Sequence, residues 1–222
     1  MGTVLVLGAS RGIGLEFVRQ YRAAGERVIA TARDEAGLER LRALGATALR
    51  LDVCQTASIA GLAWQLDGEK IDLALYVAGV IVRADAKQPP TDVDFDRVMH
   101  TNVLGAMQAI PQVAPLVEAA RGRFVFVSSR MGRIAQVESS GSWTYRVSKA
   151  ALNMAVASAQ LEYPQAVMVA MSPGWVQTDM GGAVASLTVE ASVASMRGAI
   201  ARLTPEHRGA FLDVDGTPFA GW

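Results

Sequence analysis

The sequence predicts an α/β protein of one domain, built on a doubly wound parallel β-sheet with helices on both faces. Two observations carry this. Short uncharged runs such as Val4-Leu-Val-Leu7 alternate along the whole chain with segments whose apolar residues recur at helical spacing. Strict alternation calls for strands joined by helical crossovers, hence a parallel sheet. In addition, 51% of the 222 residues are hydrophobic and 19% charged, which excludes a disordered chain and requires a large core.

Taken in order, Thr3 to Leu7 reads as a strand buried on both faces, ending at the turn Gly8-Ala-Ser-Arg-Gly-Ile-Gly14. Ile13, Phe17 and Tyr21 then follow at helical spacing, and Gly25 offers a stop. Arg27 to Ala32 is the second strand, followed by a helix with Leu38, Leu41 and Leu44 on one face and Gly45 as punctuation. Thr47 to Val53 is the third strand, Ile59, Leu62 and Leu66 mark one further helix, and Ile71 to Val77 is the fourth strand, closed by Ala78-Gly79. Residues 98–117 carry no formal charge over about the length of a membrane span. They include His100, Asn102, Gln108, Pro111, Gln112 and Pro115, so a buried helix of a soluble protein is expected. Strands at Phe124 to Ser128, Val167 to Met171 and Phe211 to Val214, with helices at Thr144 to Leu161 and Val189 to Leu203, complete the chain. No repeat, low-complexity tract or linker divides it. The expectation is one domain over 1–222, with the nucleotide-binding part in about 1–120 and the catalytic and substrate part in about 121–222.

The 21 basic and 21 acidic residues cancel, leaving no field that would draw nucleic acid or an anionic membrane. The single cysteine, Cys54, excludes an internal disulfide, and two distant histidines give no zinc spacing. The chain enters its first apolar run without the basic start and long apolar stretch of a secretory signal, so a cytoplasmic location is expected.

Glycines at a strand-to-helix turn let a phosphate approach backbone N–H groups while the helix start supplies positive potential. Gly8, Gly12 and Gly14 suit this, although their spacing is G-x-x-x-G-x-G instead of G-x-G-x-x-G, and a tight turn without ligand is the plain alternative. Asp52 at the end of the third strand could accept from an adenine amino group or merely cap the next helix. Ala78 and Gly79 leave room for a ribose. Together these favour a nucleotide at the carboxyl rim of the sheet.

Tyr145 and Lys149 lie four residues apart, on one face of a helix. A free tyrosine titrates near ~10, and an adjacent ammonium lowers that value. Ser129 could donate to the same carbonyl oxygen, and Asn102 could order a water leading to Lys149. The alternative is a core tyrosine and a lysine that snorkels to the surface.

In order along the chain, Gly8-x-x-x-Gly12-x-Gly14, Asn102, Ser129, Tyr145-x-x-x-Lys149 and Pro173-Gly174 resemble the motifs of the short-chain dehydrogenases/reductases. The strings Trp143-Thr-Tyr-Arg-Val-Ser-Lys-Ala-Ala-Leu-Asn153, Pro173-Gly-Trp-Val-Gln-Thr-Asp-Met-Gly-Gly182 and Asp215-Gly-Thr-Pro218 resemble its C-factor-like and sniffer-like carbonyl reductase branch. The longer Ser129 to Tyr145 interval is similar to that branch and favours Ser129 over Ser128. Tyr76-Val-Ala-Gly79 departs from the family's Asn-containing motif, which puts local packing in question more than chemistry.

The resemblance implies a Rossmann-type fold and hydride transfer between a nicotinamide and a carbonyl/alcohol pair. Ser129 and Tyr145 would flank the carbonyl, Tyr145 would protonate the oxyanion, Lys149 would lower the tyrosine pKa and bind ribose hydroxyls, and Asn102 would anchor a relay water. It further implies a coenzyme site drawing on Ser10, Arg11, Ile13, Val53, Pro173, Gly174, Val176 and Thr178, the last at the carboxamide. Trp143, Trp175, Val176, Met180 and Ile134 are candidates for an apolar substrate pocket or for core. NADP(H) is expected in preference to NAD(H), because Val28-Ile-Ala-Thr-Ala-Arg-Asp34 places Arg33 as the first charge after the strand, with Arg11 able to approach a 2′-phosphate from the glycine turn. Asp34 is expected to cap the following helix instead of selecting NAD. Ala150, Ala151, Met154, Ala155, Ala157 and Ala159 make the Tyr145 helix apolar around most of its circumference, which predicts a homodimer or homotetramer. A non-catalytic nucleotide-binding regulator on the same fold is the rival reading. An epimerase or dehydratase would need a larger segment after Pro173 than the chain holds.

Overall fold

The computed structural model describes residues 2–222. Its strands are β1 (Thr3–Leu7), β2 (Arg27–Ala32), β3 (Thr47–Arg50), β4 (Leu73–Tyr76), β5 (Arg123–Val127), β6 (Val167–Met171) and β7 (Phe211–Leu212). The α-helices are α1 (Gly12–Ala23), α2 (Glu35–Ala43), α3 (Thr56–Ala60), α4 (Leu62–Gln65), α5 (Asp92–Met99), α6 (Gly105–Ala119), α7 (Trp143–Ala159) and α8 (Val189–Ala201). The strands form one seven-stranded sheet in the order β3-β2-β1-β4-β5-β6-β7, and every named pairing is parallel.

Side chains alternate across each strand, so one face of β1 presents Val4 and Val6 and the other Leu5 and Leu7. The first pair belongs to a core with Phe17 and Val18 of α1, Leu38 and Leu41 of α2, and Val193 and Met196 of α8. The second packs with Ile59, Leu62, Ile110, Val113, Leu152 and Val156 from α3, α4, α6 and α7. Each such aliphatic side chain, fully buried, contributes about 1.5–3 kcal/mol. Strand order reverses between β1 and β4, and an open α/β sheet binds ligands in the crevice at that switch point.

Several elements differ from the sequence expectation. β3 stops at Arg50, not Val53, because its neighbour β2 ends at Ala32, opposite Arg50. The single helix expected around Ile59 to Leu66 is two short ones divided at Gly61, although Ile59, Leu62 and Leu66 are all buried. The helix expected over 98–117 starts earlier, where the Thr91 side chain accepts from the Asp94 N–H at 3.2 Å. Between α5 and α6 lies a π-helical turn, His100–Leu104. Pro111 and Pro115 sit inside α6 on its exposed side, where carbonyls left without a partner reach water. Among the described residues no helix is long and apolar enough to cross a membrane.

Candidate active site

The glycine turn owes its shape to the absence of side chains. Gly8 has φ +87°, where a Cβ would lie 2.7 Å from the Ala78 nitrogen, and a Cβ on Gly14 would lie 2.3 Å from the Gly8 carbonyl oxygen. Thr31 ties the turn to β2: its hydroxyl accepts from Gly8 N–H at 3.0 Å and its carbonyl from Ala9 N–H at 2.8 Å. α1 begins with no side-chain cap and no acidic residue in its first turn, so its leading N–H groups remain available to an anion. A Cβ on Gly79 would fill space 3.6 Å from Lys149 Nζ and 3.5 Å from Asn102 Oδ1. A cradle of bare backbone beside an uncapped helix start fits a dinucleotide.

A cavity of about 470 Å³ runs from this turn to α7. It gathers Gly8, Ser10, Arg11, Gly12, Ile13, Gly14, Arg33, Val53, Ala78, Gly79, Tyr145, Lys149, Pro173 and Thr178, all expected from the sequence. Asp52, Asn102, Ser129, Gly174 and Val176 do not line it. Asp52 turns back on its own loop, with Oδ1 accepting from Cys54 N–H at 2.9 Å. Val176 is buried against the core and bridged to Leu187, and Gly174 makes a turn at φ +78°. Sequence reasoning missed Thr31, Leu51, Cys54, Thr101, Gln177 and Asp179 in the wall. The strand period places Thr31 on the same face as Arg33 and could have found it; the others carry no motif.

Tyr145 is buried, and desolvation pushes its pKa up to about 12, opposed by the hydroxyl of Ser129, which sits against the phenol. Ser128, which lines the cavity, spends its hydroxyl hydrogen on Asn153 Oδ1 at 2.6 Å. Lys149 Nζ donates to the Val127 carbonyl at 2.9 Å, and burial lowers the lysine pKa to about 8. Lys149, expected to draw the tyrosine pKa down, does not offset this burial. Nζ lies 5.6 Å from the ring centroid, and burial of the phenol outweighs what opposes it.

The Asn102 side chain is engaged within the protein. Its Oδ1 accepts from Val80 N–H at 2.8 Å, and Nδ2 donates to the Val80 carbonyl and to Ser148 Oγ, each at 2.9 Å. Both amide hydrogens are therefore spent within the protein, leaving an oxygen lone pair or the main-chain carbonyl as the only places for a water.

At the adenosine end, Asp34 caps α2 by accepting from Gly37 N–H at 2.7 Å, as expected. Arg33 is exposed, and its guanidinium has no hydrogen-bond or ion-pair partner among the described residues; its carbonyl accepts from Arg50 at 2.9 Å. Arg11 reaches across the mouth of the cavity to Asp179 at 2.9 Å, an exposed pair of little energetic weight. Of the five residues considered for a substrate pocket only Met180 lines the cavity. Ile134 and Trp175 are exposed, Val176 is core, and the Trp143 indole N–H is buried without a partner among the described residues.

A nucleotide cradle at the switch point of a parallel sheet, joined to a buried tyrosine and lysine, defines a nucleotide-dependent oxidoreductase site. A family model described as short chain dehydrogenase matches residues 2–187, and the chain belongs to that family. C-signal of Myxococcus xanthus is 44% identical over 150 residues, 66% of this chain and 90% of that protein. The 1-hydroxy-2-glutathionyl-2-methyl-3-butene dehydrogenase of Rhodococcus sp. (strain AD45) is 34% identical over 234 residues, covering 100% of both chains. Among solved structures, the carbonyl reductase Sniffer of D. melanogaster superposes with TM-score 0.91 at 26% identity over 100% of both chains. A short-chain dehydrogenase/reductase from Burkholderia multivorans with bound NADP gives 0.87 at 32% identity, covering 100% of this chain and 99% of that one. Within its family the chain resembles the sniffer-like branch.

Proposed function

We propose that this chain is an NADP-dependent oxidoreductase interconverting a small-molecule carbonyl and its alcohol. The observation that carries the reading is that Tyr145 and Lys149 line one end of a glycine-floored cavity, with the Ser129 hydroxyl beside the phenol just behind its wall. When bound, NADP(H) supplies or takes up the hydride. Gly8, Ser10, Gly12, Ile13 and Gly14 would hold its phosphates, with Val53, Ala78, Gly79, Pro173 and Thr178 along the rest of the cavity. Burial keeps the Tyr145 phenol protonated at neutral pH, so it can donate its proton to the carbonyl oxygen in the reductive direction. Ser129 donates a hydrogen bond to the same oxygen and stabilises the charge that develops there. Lys149, protonated below about pH 8, stabilises the phenolate left by proton transfer.

Preference for NADP(H) over NAD(H) is proposed from the unpaired Arg33 guanidinium and from Asp34, whose carboxylate is engaged as a helix cap. The NADP named for the Burkholderia structure supports the choice of coenzyme. The whole chain works as one domain, 1–120 serving the nucleotide and 121–222 the chemistry, in a homodimer or homotetramer.

The test follows NADPH absorbance with a panel of aldehydes, ketones and quinones, in the parent and in Tyr145→Phe. The parent is expected to turn over, and the variant to lose roughly 10²–10⁴-fold in kcat while its NADPH affinity stays within about twofold. Undiminished turnover in Tyr145→Phe would remove the tyrosine from the mechanism. NADPH binding without turnover across the panel would favour the nucleotide-binding regulator.

A further inference from the structure

Tyr76 ends β4 directly above the switch point, and the proposed chemistry gives it no part. It is fully buried and stacked on Phe126, with ring centroids 6.0 Å apart. Phenylalanine would fill that volume equally well, so the hydroxyl calls for an explanation of its own. Its phenol donates to the Thr101 carbonyl at 2.8 Å. Thr101 lies in the π-helical turn His100–Leu104, and there the Gly105 N–H bonds the carbonyl of His100, five residues back, in place of its α-helical partner, the carbonyl of Thr101. The hydroxyl thus supplies a donor to the carbonyl that Gly105 bypasses. The fit is reciprocal: a Cβ on Gly105 would lie 2.6 Å from the Tyr76 hydroxyl oxygen.

The residue after Thr101 is Asn102, whose side chain grips both backbone groups of Val80 and donates to Ser148 Oγ at 2.9 Å. Ser148 Oγ in turn donates to the Tyr145 carbonyl at 2.7 Å, within the turn of α7 that carries Tyr145 and Lys149. Tyr76, Asn102 and Ser148 are each 0% exposed, so this chain of bonds runs without competition from water. Burial also drives the Tyr76 pKa far up, which keeps its hydroxyl a donor throughout the working range.

We infer that Tyr76 is a positioning residue of the active site, holding the π-turn in the register that lets Asn102 clamp Val80 and the catalytic turn of α7. The inference rests on the proposed catalytic roles of Tyr145 and Lys149. It extends the significance of the Tyr76 departure from packing to alignment of the reacting groups.

The test is a double-substitution cycle of Tyr76→Phe and Ser148→Ala, with kcat, NADPH affinity, the pH profile of kcat and thermal unfolding measured for each. Tyr76→Phe is expected to lower kcat roughly tenfold and to move the basic limb of the kcat profile, with NADPH affinity changed less than about twofold. Combined with Ser148→Ala it should slow the reaction by less than about twofold beyond Ser148→Ala alone, because both act along one chain. Unchanged kcat in Tyr76→Phe, or effects that multiply in the double variant with the pH profile unmoved, overturns the inference. Amide hydrogen exchange needs no turnover and separates this outcome from failure of the proposed function. Should the parent be inactive on every carbonyl, exchange at Val80 and at Tyr145 to Lys149 still has to quicken roughly tenfold in Tyr76→Phe. Unaltered exchange there rejects the role of Tyr76 by itself.

Discussion

Lys149 is enclosed by the protein, and among the described residues its Nζ has one acceptor, the Val127 carbonyl. A neutral acceptor does not repay the desolvation of an ammonium, and the pKa falls from 10.5 to about 8. Between these values the unfolded chain holds the proton and the folded chain has released it, so this group makes stability rise with pH across that window. Below it both states are protonated and the burial cost is felt in full. Urea unfolding at about pH 7 and about pH 10 should therefore show the parent gaining on Lys149→Met at the higher pH, and a stability difference that does not change with pH would contradict the shift. The pairing of Tyr145 with Lys149 was legible in the sequence because their spacing is a local property. The direction of the two pKa shifts was not, since it depends on how much water the remainder of the chain excludes.

The segment joining β2 to α2 shows why some elements could be read and others not. Asp34 and Gly37 form a cap within four residues, so the helix start follows from local chemistry, and it leaves Arg33 exposed beside the cavity. For Arg33→Ala we expect kcat/KM for NADPH to fall roughly tenfold or more while the NADH value changes less than about twofold, as expected when charge-assisted bonds to a phosphate are lost. An unchanged ratio of the two would remove Arg33 as the selector. The π-turn at His100–Leu104 had no comparable signature: the uncharged, apolar-rich run continues through it, and its partners Tyr76 and Val80 lie more than twenty residues from Thr101 and Asn102 in sequence. The break at Gly61 was missed for a related reason, because both short helices keep their apolar residues on one buried face and the periodicity runs through the interruption.

At the scale of the molecule, α7 covers one face of the sheet with Leu152 and Val156 yet leaves Val147 and Met154 half or more exposed, with Leu161 just beyond its end. Leu104 and Met107, at the start of α6, are exposed as well. An apolar helix face left open in this way suits burial against a symmetry mate. Light scattering at micromolar concentration is expected to give the mass of at least two chains, and Met154→Lys should shift it toward one. A monomeric parent would contradict the proposal.

Fold class, the alternation of strands with helices, the glycine turn and the Tyr145 and Lys149 pair were determined by sequence alone, because each depends on periodicity or turn chemistry within a few residues. Tertiary structure set the surroundings of the adjacent serines, the Ser128 hydroxyl donating to Asn153 and the Ser129 hydroxyl accepting from Met131 N–H beside the phenol. It also brought Thr31, Cys54, Thr101 and Gln177 into one wall and joined the Asn102 side chain to Val80 and Ser148. These outcomes depend on contacts between segments far apart in the chain and on the water those contacts exclude, and neither is written in any short stretch of residues.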